Sequence, residues 1–170
     1  MPKKKYQKPN NTGKIQIIYG FHAVRAALLN SKRVHEELYV TENNKQIYEN
    51  IRSKIQKITI LDQKEFKKLH GEIKSSQGIV LRTSDFERPS LQEFIKKENS
   101  KDKSVLLALD QITDPQNIGS IMRSCALFNC TGVIVAKDNA PDLTPSLYKA
   151  ASGSAEVVNY FKVTNLKRSI

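Results

Sequence analysis

Between Asp114 and Cys125 the chain reads DPQNIGSIMRSC, and this short stretch gathers residue types that could do chemistry together. Asp114-Pro115 ends an apolar run and forces a turn, because the residue before a proline avoids the helical region. Asn117 suits the N-cap of a helix beginning at Ile118. Gly119, in the first turn, would leave the backbone open to another chain or a ligand. Helical spacing puts Ser120, Arg123 and Ser124 on one face and Ile118, Met122 and Cys125 on the other. A helix start with free N–H groups and an arginine one turn on can hold an anion. The plainer alternative is a capped helix with Arg123 as a solvated surface cation, and spacing alone leaves both open.

Other chemistries find little support. The sequence has no GxGxxG and no GxxxxGK[ST] phosphate loop. His22, His35 and His70 are scattered and suggest structural or solvated roles. Cys125 and Cys130 fit neither a disulfide framework nor a four-ligand zinc site, and Cys125 reads as a plain buried thiol. No metal site is expected. Two such cysteines suit a reducing, cytoplasmic setting. No apolar run approaches the roughly 20 residues that span a bilayer.

The elements that would position the motif alternate along the chain. Residues 1–14 are rich in Lys, Asn and Pro and predict a basic, disordered tail. IQIIY reads as a strand, Gly20 as a break, and the next segment as a helix with Val24, Ala27 and Leu28 on one face. EELYVT, KITILD and QGIVLRTSDF read as strands, KQIYENIRSKI and QKEFKKLHG as helices, the latter ended by Gly71. Residues 15–86 therefore form a small α/β domain. Residues 87–103 begin with a Pro-Ser helix start, end in a charged run and read as a linker. From residue 104 the texture changes. SVLLALDQI reads as a strand covered on both faces, followed by helix, buried strand VIVAK, Pro-rich loop, helix SLYKAASGSA and strand EVVNYFKV. That order, β-α-β-α-β, opens a Rossmann-like parallel sheet over residues 104–170.

Charge divides the same way. The chain carries a net charge of +11, and residues 1–103 hold 22 Lys/Arg against 12 Asp/Glu while residues 104–170 hold 6 against 5. A basic first module on a near-neutral second one suits a polyanionic partner. The 21 lysines against 7 arginines also admit simple codon bias.

The wording of LALDQITDPQNIGSIMRSCALFNCTGVIVAKD resembles motif 1 of the SpoU (TrmH-like) branch of the SPOUT RNA methyltransferases, a strand followed by D-P-x-N-x-G-x-x-x-R-[ST]-A-x-x-F-G. PSLYKAASGSAEVVNYFKVTNL resembles the family's next segment, with Lys149, Gly153 and Glu156 at matching positions. IYGFHAVRAALLN and QGIVL resemble its N-terminal substrate-binding domain. The likeness runs from about residue 16 to the end and is nearest the 23S ribosomal RNA guanosine 2′-O-methyltransferases. It implies methyl transfer from S-adenosylmethionine to a ribose 2′-hydroxyl of RNA, a first domain resembling the L30e/L7Ae ribosomal proteins, and a homodimer. Carried onto matching positions, it makes Arg123 and Asn117 the catalytic residues, with Asn117 orienting the arginine. Gly119 and Ser120, with Arg25, Lys32 and Arg33 of the basic module, are the candidate RNA contacts. Glu156 is expected to be structural or interfacial.

The family's motifs 2 and 3, which build its trefoil knot and cofactor pocket, have no counterpart in these residues. No cofactor-binding residue is therefore assigned, and the isolated chain is expected neither to bind S-adenosylmethionine nor to methylate RNA. A non-enzymatic RNA-binding module and a gene remnant are the alternative readings.

Overall fold

The computed structural model describes residues 14–44, 46–49, 55–71, 73, 75–98 and 103–170. The basic tail, apart from Lys14, and residues 45 and 50–54 of the KQIYENIRSKI helix lie outside these residues, while Ile55 of that stretch opens a strand. The first module has strands β1 (Ile15–Tyr19), β2 (His35–Thr41), β3 (Ile55–Leu61) and β4 (Ile79–Ser84) in the order β1-β4-β2-β3. β4 runs antiparallel to β1 and β2, whereas β2 and β3 are parallel. Helix α1 (Phe21–Leu29) buries Ala23, Val24, Ala27 and Leu28, the spacing expected of one helical face. Short helix α2 (Gln46–Glu49) precedes β3. Helix α3 (Gln63–His70) starts in a capping box, in which Asp62 accepts from the Glu65 amide and Glu65 accepts from the Asp62 amide.

The second module is a three-stranded parallel sheet, β5 (Leu106–Leu109), β6 (Gly132–Ala136) and β7 (Asn159–Val163), in that order. Helix α5 (Pro115–Leu127) joins β5 to β6, and α6 (Pro145–Ala151) with a 3-10 turn at Ser154–Glu156 joins β6 to β7. Short helix α7 (Leu166–Ser169) follows. This is the β-α-β-α-β order read from the sequence. Three details differ. Residues 87–103 contain helix α4 (Leu91–Glu98), which starts at a Ser90–Glu93 capping pair and buries Leu91 and Phe94 against Ile134, Phe161 and Val163. That stretch is thus largely a cover for the sheet, and burying each such side chain is worth about 1.5–3 kcal/mol. β5, expected to be covered on both faces, sits at the sheet edge with Val105 and Leu107 exposed. Finally, the two modules share one continuous core: Ile18, Val24, Leu28 and Leu81 belong to the same buried cluster as Ile118, Met122, Val133 and Tyr148.

Candidate nucleic-acid interface

Helix α5 is built differently at its start from the sequence expectation. Asp114, not Asn117, is the N-cap, its carboxylate accepting from the Gln116 amide at 3.1 Å, with Pro115 at the first helical position. The physical reason is that proline at N1 is already set for helix and lacks the N–H that would go unpaired there. Asn117 consequently lies inside the first turn, exposed, with its carbonyl accepting from the Ser120 hydroxyl at 2.8 Å. Gln111, just upstream, holds a left-handed backbone with φ of 56° and aims the chain into this turn.

The solvent face of α5 carries Asn117, Ser120, Arg123 and Ser124, while Ile118, Met122 and Cys125 are buried. Ser124 donates to the Ser120 carbonyl at 3.4 Å. Arg123 is exposed and, among the described residues, has no hydrogen-bond or ion-pair partner, so its guanidinium is free to meet an anion. The side chain of Asn117 is likewise without a partner among the described residues, and six residues of helix put about 9 Å between the two along the axis. No direct hydrogen bond joins the side chains of Asn117 and Arg123 among the described residues. Gly119 is buried against α6: a Cβ there would stand 2.5 Å from Ala150 Cβ and 2.9 Å from the Leu147 carbonyl. Its missing side chain lets two helices meet, and gives no approach to RNA.

In the basic module, Arg25 is exposed on α1 and lines a cleft of about 360 Å³ with Phe21, Asn44 and Ile47. Lys32 is exposed, its ammonium 5.8 Å from the centre of the Phe86 ring. Arg33, grouped with them from its charge, turns inward and is 5 % exposed. Its five N–H donors are all engaged within the protein. Nε and Nη2 each donate to Glu156 at 2.9 Å, Nη2 also to the Tyr148 hydroxyl at 3.0 Å, and Nη1 to Gln16 and to the Ser84 carbonyl. Burial opposes the charge on Arg33, but the hydrogen bonds and charge of Glu156 outweigh it and raise the pKa above the ordinary value. Glu156 also accepts from Asn30 at 2.6 Å, an interfacial role between the modules. Sequence reasoning could not find this pair, because its members are 123 residues apart and each resembles a surface charge.

His22 is exposed, whereas His35 is buried beside the Thr83 hydroxyl at 3.2 Å and His70 packs against Tyr39 and Phe66. Among the described residues no three His, Cys, Asp or Glu side chains gather as metal ligands. A second cleft, about 730 Å³, opens between β1 and the Asp142–Pro145 loop. A third, about 840 Å³, lies beside α3. Arg123 lines none of these three clefts. No helix among the described residues is long and apolar enough to cross a membrane.

Comparison with known proteins divides the chain at the same place. The profile of the SpoU rRNA methylase family matches residues 104–170, and that of the RNA 2′-O ribose methyltransferase substrate-binding domain matches residues 17–89. A 23S rRNA (guanosine-2′-O-)-methyltransferase RlmB of Coxiella burnetii is 34 % identical over 165 residues, covering 92 % of this chain and 64 % of the relative. The protein of the same name from Shewanella oneidensis is 35 % identical over 170 residues, covering 92 % and 65 %. The chain thus spans just under two thirds of the length of these relatives. Among solved structures, the SpoU methyltransferase AviRb of Streptomyces viridochromogenes superposes with a TM-score of 0.66 at 19 % identity, covering 91 % of this chain and 55 % of that one. An AdoMet-bound rRNA methyltransferase of Sinorhizobium meliloti gives 0.62 at 16 %, covering 87 % and 54 %. At these identities the structural likeness concerns the fold.

Proposed function

We propose that the chain, matched by the two SpoU profiles over residues 17–89 and 104–170, is a member of the SpoU rRNA methylase family and serves 2′-O-methylation of ribosomal RNA in the cytoplasm, with S-adenosylmethionine as the methyl source. The observation that carries this reading is Arg123, an unpaired guanidinium on the polar face of a capped helix, at the position of the motif-1 arginine. A ribose hydroxyl is a weak acid, and its oxygen gains negative charge as it becomes a nucleophile. A guanidinium stabilises that charge without losing its own proton. Ser120 and Ser124 flank it with hydroxyls suited to phosphate oxygens. Arg25 and Lys32 supply exposed charge on the basic module, and RNA held there by phosphate contacts would bind less tightly as salt rises. Arg33 drops out of the RNA-binding set. Asn117, exposed on the same helix face, stays in the proposal beside Arg123. The homodimer of the family is part of the proposal, to be read by sedimentation.

The exposed positive charge of Arg25 and Lys32 on the basic module favours a second reading, an RNA-binding chain without catalysis of its own. Calorimetric titration of the 170-residue chain with S-adenosylmethionine is expected to give no heat of binding, and micromolar binding would overturn that expectation. Fusion to the remaining C-terminal part of the Coxiella burnetii relative separates the two readings. Tritiated methyl should then enter 23S RNA at a ribose, and Arg123→Ala should cut the rate by about 10²-fold, the usual loss on removing one charge-stabilising donor. Methylation indifferent to Arg123→Ala would overturn the catalytic reading, and RNA binding without methylation would favour the second.

A further inference from the structure

Three of the positions that mark the segment after motif 1 meet the first module. Lys149 of α6 lies along Gly20, where a Cβ would stand 3.2 Å from its Cγ, and its ammonium sits 6.0 Å from the Tyr19 ring centre. Gly153, with φ of 97°, admits Ala26 of α1 so closely that a Cβ would be 2.6 Å from it. Glu156 receives both Arg33 and Asn30. Tyr148 adds a fourth tie, its hydroxyl accepting from Arg33 at 3.0 Å and from Arg88 at 2.8 Å. Arg33 and Arg88 both pack on the Phe86 ring, at 4.9 and 3.9 Å from its centre. On its other side the same α6 seats Gly119 of α5 through Leu147, Ala150 and Ala151.

From this arrangement we infer that Arg33 is a positioning residue, and that with Glu156 it locks the basic module onto α6 so that the two modules move as one body. The chain of contacts runs from the basic module through Arg33 and Glu156 to α6, and through Gly119 to the helix bearing Arg123. A charge buried to this extent persists only where partners satisfy it, and a bidentate fork fixes orientation as well as distance. The consequence for RNA rests on the function proposed above: RNA gripped by Arg25 and Lys32 would be delivered to the Arg123 face at a fixed offset. The lock itself does not depend on RNA.

Spin labels test it in the full chain without RNA. Labels at Lys67→Cys on α3 and Lys137→Cys after β6, in a Cys130→Ser background, report the separation of the modules by pulsed electron resonance. A single narrow distance distribution is expected. Arg33→Met should broaden it at least roughly twofold, because it leaves Glu156 and Tyr148 without the fork that fixes α6 on the shared core. Arg33→Lys should broaden it too, because an ammonium lacks the fork. Glu156→Ala, which leaves the Arg33 contacts to Gln16 and Ser84 in place, carries the same prediction should Arg33→Met fail to fold. An unchanged narrow distribution in the folded variants would overturn the lock, as would a broad one in the parent. RNA binding measured separately decides the RNA reading whichever way the distances fall.

Discussion

Gly119 of α5 and Ala150 of α6 occupy a space that holds only one methyl group: a Cβ on Gly119 would come within 2.5 Å of Ala150 Cβ and 2.8 Å of the Ala151 amide nitrogen. In an isolated helix Gly to Ala gains about 1 kcal/mol. Here the neighbours are the Ala150 Cβ and the backbone of Leu147 and Ala151, which cannot yield, so Gly119→Ala should instead destabilise the fold by about 1–3 kcal/mol, the usual cost of overpacking. Urea unfolding checks it. A gain in stability would mean that the two helices are not in this contact.

The capping of α5 gives a paired prediction. Asp114→Ala should cost about 1 kcal/mol. Asn117→Ala, at an exposed residue without side-chain partners, should stay within about 0.5 kcal/mol. The reverse order in denaturant midpoints would restore Asn117 as the cap.

The two caps illustrate what could be read from the chain and what could not. Short apolar runs marked β2, β4 and β6, and the 3-4 spacing of Val24, Ala27 and Leu28 marked α1, because local pattern reports local burial. The motif helix and the exposure of Arg123 followed from the same rule. The start of helix α4 was legible in Pro89-Ser90, but its packing was hidden because KKENSKDK after Leu91 and Phe94 looks like solvent-facing charge, and only the distant Ile134, Phe161 and Val163 explain those two apolar residues. Arg33 misled for the same reason. Its charge is local information, but its partner Glu156 comes from packing between modules. Gly119 could equally have meant close approach of a ligand or of a helix, and one sequence does not distinguish them.

Acid should weaken the fold through His70. Burial holds its imidazole pKa below the ordinary 6.5, against a smaller opposing pull from Glu37. As pH falls below about 6.5 the unfolded chain takes up a proton that folded His70 does not, so unfolding gains and stability drops. His70→Phe keeps a ring against Tyr39 and Phe66 and should lessen the fall in urea midpoint between pH 7.5 and 5.5, values bracketing the shift by roughly one unit. Equal falls in parent and variant would contradict this.

Cys125 is 2 % exposed, and burial together with the neighbouring Cys130 pushes its thiol pKa above the ordinary value. The thiolate is the reactive form. Iodoacetamide at neutral pH should therefore leave Cys125 unmodified in the folded protein and alkylate it in urea, as mass spectrometry of the Cys125 peptide would record. Rapid labelling of the folded chain would show that α5 opens readily from α6.

The central claim is that the basic module and the Arg123 face of α5 engage one RNA. Ultraviolet cross-linking of the chain to ribosomal RNA, with the linked peptides identified by mass spectrometry, tests it most directly. Cross-links are predicted in two places, on the exposed face of α5 from Asn117 to Ser124 and around Arg25 and Lys32. Cross-links confined to other surfaces, with α5 unmarked, would contradict the account.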